Sequence, residues 1–88
     1  MLIKLKYTLH ERDLLLNLIS IEPDIVDKLK LARIEKNEIT IEVDLEDLDV
    51  LLGAIAADAN HAETRKKEKE LNALFRKADK VYQTQLKK

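Results

Sequence analysis

The chain has 88 residues, with 16 Lys and Arg against 17 Asp and Glu, no Cys, one Gly, one Pro and three aromatic residues. Leu, Ile, Val and Phe make up 29 of the 88, about a third, which is above the roughly 20% under which chains stay disordered. One small domain is therefore expected, without disulfides, thiolate chemistry or Cys-ligated zinc, and its core is thin enough for help from a partner to be expected.

The opening Met1-Leu2-Ile3-Lys4-Leu5-Lys6 has no unbroken apolar stretch, and no later run approaches the roughly 18 apolar residues that would span a bilayer. The expectation is a cytoplasmic protein without a membrane partner. One glycine, Gly53, cannot build a Gly-rich phosphate loop. No cofactor and no small-molecule substrate are indicated.

Ile3, Leu5, Tyr7 and Leu9 alternate with Lys4, Lys6 and Thr8, the period of a strand with one buried face. Thr8-Leu9-His10-Glu11 has the Thr-x-x-Glu form of a capping box, so a helix should start there. Leu14, Leu15, Leu18 and Ile19 give it an apolar face, and it should stop near Ser20. Pro23 suits the first turn of a new short helix over Asp24–Lys28. Residues 29–34 fit a helical or an extended reading equally, and a second strand is favoured near Ala32–Glu35. Lys36-Asn37 reads as a tight turn, and Glu38–Leu45 alternates strictly as a further strand. Lys4 and Lys6 on one strand and Glu42 and Asp44 on the other would pair if the two strands are neighbours.

Beyond Asp44, a natural N-cap, the chain reads as helix to its end. Leu48, Leu52, Ile55, Ala59 and Ala62 form one apolar stripe, and Leu71, Leu74, Ala78, Val81 and Tyr82 a second. At about 100° per residue the second stripe lies about 110° away from the first. Either the helix breaks near residues 60–67 and folds back as a hairpin, which is favoured, or one long helix offers its second stripe to another partner. Gly53, Ala56, Ala57 and Asn60 make a small-residue face that would let another backbone approach.

The fold class expected is thus α+β: a two- or three-stranded sheet packed against helices, with a C-terminal helical arm or hairpin. A single domain is expected, divided by charge. Residues 1–62 hold 7 Lys and Arg against 13 Asp and Glu, and residues 63–88 hold 9 against 4. Charge asymmetry of this kind suggests an interaction tail; self-complementarity with the chain's own acidic part, within one chain or head to tail between two, is the favoured reading and contact with an anionic partner the alternative.

Candidate chemistry is sparse. Asp58, Asn60, His61 and Glu63 are the densest polar group, and Asp58 and His61 share a helical face at metal-ligand spacing. A third ligand would have to come from His10, Glu11 or Asp13. Helix capping explains the group equally well. Ser20 is the only serine, and a Ser-His-acid arrangement would need it to converge with His10 or His61 and an oxyanion hole. No catalytic, cofactor or metal residue is assigned, and an enzyme is not expected.

The run Leu51-Leu52-Gly53-Ala54-Ile55-Ala56-Ala57-Asp58-Ala59-Asn60-His61-Ala62 and the later Lys69-Glu70-Leu71-Asn72-Ala73-Leu74-Phe75 resemble a short strand-then-helices module of uncharacterised bacterial proteins, over about residues 38–80. The resemblance implies a bacterial, cytoplasmic module and carries no activity or site residue.

The function expected is a non-enzymatic protein-protein interaction module that forms a homodimer through Gly53, Ala57, Leu71, Leu74, Phe75, Ala78 and Tyr82. The alternative is an accessory nucleic-acid-binding protein that meets an anionic partner with Arg65, Lys66, Lys67, Lys69, Arg76, Lys77 and Lys80. That basic set is interrupted by Glu63, Glu68, Glu70 and Asp79 and has no interleaved stacking aromatics.

Overall fold

A computed structural model describes residues 2–87. Strand β1 (Ile3–Thr8) leads into helix α1 (Leu9–Leu16), followed by α2 (Pro23–Leu31), strand β2 (Glu38–Val43), and helices α3 (Leu45–Asn60) and α4 (Arg65–Leu86). The architecture is α+β, a two-stranded antiparallel sheet with four helices. None of these helices is long and apolar enough to cross a membrane.

The sheet follows from its alternation. Ile3, Leu5 and Tyr7 of β1 and Ile39, Ile41 and Val43 of β2 are buried, while the residues between them face outward. The expected neighbours are indeed paired: Lys4 stands opposite Glu42 and Lys6 opposite Thr40, with Lys6 Nζ 3.5 Å from Glu38 Oε1. Asp44 lies beyond the strand and caps α3 instead, its carboxylate accepting the Asp47 amide at 2.7 Å.

Local signals set most boundaries. The Thr8 hydroxyl accepts the Glu11 amide at 3.1 Å and the Glu11 carboxylate accepts the Thr8 amide at 2.8 Å, completing the capping box that starts α1. Helix α1 stops at Leu16 rather than near Ser20: Asn17 is its C-cap, its side chain donating to the Asp13 carbonyl, and the Leu18 amide tightens onto the Leu15 carbonyl. Pro23 takes the first turn of α2, which continues past Lys28 to Leu31.

The second strand expected at Ala32–Glu35 is not formed. Only one bridge, Glu35 to Glu38, closes over the Lys36-Asn37 turn, whose two residues both have positive φ, 52° and 64°. Helix α2 claims Leu31, and the three residues after it reach the turn without pairing, so the sheet keeps two strands.

The C-terminal helix breaks, as favoured from the phase of its stripes. Helix α3 ends at Asn60, where the His61 and Ala62 amides tighten onto the Asp58 and Ala59 carbonyls. Thr64 then caps α4, its hydroxyl accepting the Lys67 amide at 3.1 Å. The arms fold into a hairpin, and α3 with α4 make the largest contact between helices. Leu71, Leu74 and Ala78 of α4 are each 1% exposed in the same core as Leu48, Leu51, Leu52, Ala54, Ile55 and Ala59 of α3.

Candidate binding face on the C-terminal helix

The packing of α4 decides which of its residues meet solvent. Its apolar stripe is consumed within the chain: Leu71, Leu74 and Ala78 are buried, and Phe75 and Tyr82 are half-buried against the same core. The other members of the expected self-association set are elsewhere. Gly53 and Ala57 are exposed on α3, and a Cβ added at Gly53 would meet nothing within 4 Å. The arm therefore does not pack on the small-residue face, and the apolar side chains of α4 that meet solvent include Phe75 and Tyr82, each in part, and Leu86, 53% exposed.

Helix α4 is further fixed to the first strand and helix by charge. Lys77 Nζ donates to Glu11 Oε1 at 2.8 Å and lies 5.2 Å from the centre of the Tyr7 ring. Two turns earlier on α4, Glu70 pairs with His10. Partial burial pushes the Glu11 carboxyl up, but hydrogen bonds from Lys77 and Thr8 together with the Lys77 charge outweigh it, and its pKa is lowered. The hydrogen bond from His10 is the main cause that lowers the pKa of Glu70. Tyr7 is 1% exposed, and burial, then the Glu11 charge, push its phenol well above its ordinary value.

With these contacts made, the basic residues of α4 divide. Lys77 is drawn inward to Glu11, and Lys67 lies beside the cleft between the α1–α2 connection and the end of α3. Arg65, Lys69, Arg76 and Lys80 remain exposed and form no ion pair among the described residues. At about 100° per residue these four fall within an arc of about 60°, centred opposite the buried stripe, and Lys87 past the helix end continues it. Glu68 and Asp79 both lie beyond one edge of the arc and Glu70 is on the far side with His10, so no acidic residue lies inside it. Sequence order hides this: Glu68, Glu70 and Asp79 interrupt the cluster along the chain but not on the helix surface. The signal was present in the spacing of four, seven, four and seven from Arg65 to Lys87. The face becomes readable once the inward side of α4 is known. Lys66 is exposed as well, but about 40° outside this arc.

Of the other candidate residues, Asp58, His61 and Glu63 line one cleft beside the α1–α2 connection, and the rest lie apart from it. Asp58 accepts the Ile19 amide at 3.2 Å, tying the α1–α2 connection to α3. His61 is exposed at the end of α3, while His10 and Glu11 are engaged by Glu70 and Lys77. Among the described residues no three of the His, Asp and Glu side chains are grouped to hold a metal ion. Ser20 is exposed in the turn between α1 and α2.

Compared with protein-family models, with curated proteins and with solved structures, the chain finds no match. The functional reading therefore stands on the geometry.

Proposed function

We propose that the chain is a non-enzymatic binding module that lays the outer face of α4 along the phosphate backbone of a nucleic acid. The observation that carries this reading is the acid-free line of Arg65, Lys69, Arg76, Lys80 and Lys87. At about 1.5 Å per residue the line is about 33 Å long. A straight row of cations suits a linear polyanion, whose condensed counterions are released on contact. Half-buried Phe75 shares a hollow with Lys69, Asn72 and Arg76 at one edge of the face, but the line of cations itself carries no Trp, Tyr, Phe or Leu, and protein partners are held chiefly by such anchors in desolvated pockets. Contacts of this type fix position without reading bases, so binding should be insensitive to sequence.

The test is a fluorescence titration of the full chain against a labelled duplex of about 20 base pairs and a single strand of the same length. Binding should weaken steeply between about 50 and 200 mM salt, with a log–log slope near −4 if four or five phosphates are neutralised. The double substitution Lys69→Glu, Arg76→Glu should abolish it, and Lys30→Glu, on the exposed side of α2, should not. No binding to either oligonucleotide at low salt would exclude the reading. Binding to polyglutamate in its place would assign the face to an acidic protein.

A further inference from the structure

The hollow at the edge of the cationic face is built from one short side chain among three long ones. Around α4, Asn72 sits about 20° beyond the edge of the arc and Phe75 about 80° beyond it. Lys69, Phe75 and Arg76 are the neighbours of Asn72 at three and four residues along the helix, the spacing at which side chains meet on a helix surface. They are long and Asn72 is short, so a space of about 280 Å³ opens between them. Asn72 and both cations are exposed, while Phe75 is half-buried and packs in part on the core. Sites that enclose a whole small molecule measure about 300–1,000 Å³; this one has room for a single ring.

The lining of the hollow is divided by chemistry. Phe75 supplies an aromatic ring, Asn72 an amide that both donates and accepts, and Lys69 and Arg76 supply charge on the side of the arc. Neither cation forms an ion pair among the described residues. Aromatic rings beside cations hold single strands, because a base of any identity has a face to stack. The nearby acids set the orientation. Glu68, one turn before Asn72, and Asp79, one turn after Phe75 and accepting from Gln83 Nε2 at 3.4 Å, bracket the hollow along the axis on the Phe75 side of the arc. A phosphate is repelled there and drawn to the arc, whereas a base is neutral. A strand lying along α4 is therefore turned with its backbone over the cations and its bases toward Phe75. Bases in a duplex are stacked and paired, and freeing one costs energy.

We propose, on the reading of α4 as a phosphate-binding face, that the hollow seats one unpaired base of a single-stranded nucleic acid. The base lays its face on Phe75 and its edge at the Asn72 amide, and the adjoining phosphates meet Lys69 and Arg76. The amide offers a donor and an acceptor to any base edge, so the site selects for an unpaired base without choosing which one.

The probes are a labelled oligothymidylate of about 12 nucleotides and a strand of the same length that is abasic throughout, which keeps every phosphate and has no ring to insert. At about 50 mM salt the full chain should bind the thymidylate at least about fivefold more tightly, the least that one stacked base supplies. Phe75→Leu keeps an apolar side chain against the core and removes the aromatic face; it should erase that difference and leave the abasic strand bound as before. Should that variant fail to fold, Asn72→Leu, which fills the hollow from its floor at an exposed position, should erase the difference instead. Phe75→Trp should retain it, and its indole, in a chain that has no other Trp, should be quenched by the thymidylate and not by the abasic strand. Equal affinity of the wild-type chain for the two strands would overturn the base site and leave the phosphate-binding face standing, whereas no binding of either would remove both. An unquenched indole, or a loss in Phe75→Leu that is equal for the two strands, would make Phe75 a support of the helix and would also overturn the site.

Discussion

Gly53 sits mid-helix in α3 on a face where an added Cβ meets nothing within 4 Å. Glycine there costs conformational entropy with no close approach to offset it. Gly53→Ala should raise stability by about 0.4–1 kcal/mol, visible as a rise of a few degrees in Tm at unchanged far-ultraviolet spectrum; a fall in Tm would show that the face is covered. The capping residues behave differently, because each is legible from its neighbours alone. Thr8, Pro23, the Lys36-Asn37 turn and Asp44 all stand in the structure where sequence spacing puts them. Thr64 carries the same chemistry and was hidden by its setting, a polar run without Gly or Pro in which a helix could as well continue. What separates Thr64 from a mid-helix threonine is the return of α4 onto α3, a contact between distant residues that short-range spacing does not encode.

At the scale of elements, the hairpin of α3 and α4 depends on that cap and on the stripe it returns to the core. Thr64→Ala should cost about 1 kcal/mol, and Leu74→Ala about 2–5 kcal/mol through the cavity it leaves. Thermal denaturation should show both losses to the same extent at low and high protein concentration, because Leu74 is covered by its own chain; a loss that shrinks as the protein is diluted would place Leu74 at an interface between copies. The phase difference between the two apolar stripes was enough to favour a hairpin from sequence. It could not tell which side of α3 the arm would choose, and the small residues Gly53 and Ala57 pointed to the wrong one. The stretch 32–35 shows the converse. Its alternation is genuine strand chemistry, but its partner edge on β2 is used only at Glu38, and pattern alone cannot say whether a pairing closes.

For the whole molecule, the junction of β1, α1 and α4 ties folding to pH at both ends of the scale. The pKa of Glu11 is lowered in the folded chain, so its stabilisation is complete above the unfolded value of about 4.3 and is lost as pH falls through the folded one. The pKa of Tyr7 is raised by burial; its contribution is complete below about pH 10 and is lost as pH climbs toward the folded value. The Tm should therefore decline below about pH 4.5 and again above about pH 10, and Glu11→Gln should flatten the acid decline. An acid limb of the same depth in that variant would remove Glu11 from the account. The outer face of α4 has a last consequence. The chain is nearly neutral, with a formal charge of −1, yet residues 63–88 contain five more basic than acidic side chains, and the rest six more acidic than basic. Such a body has almost no monopole and a large dipole, so a polyanion would turn it before drawing it in, and its capture rate would be governed by orientation more than by net charge.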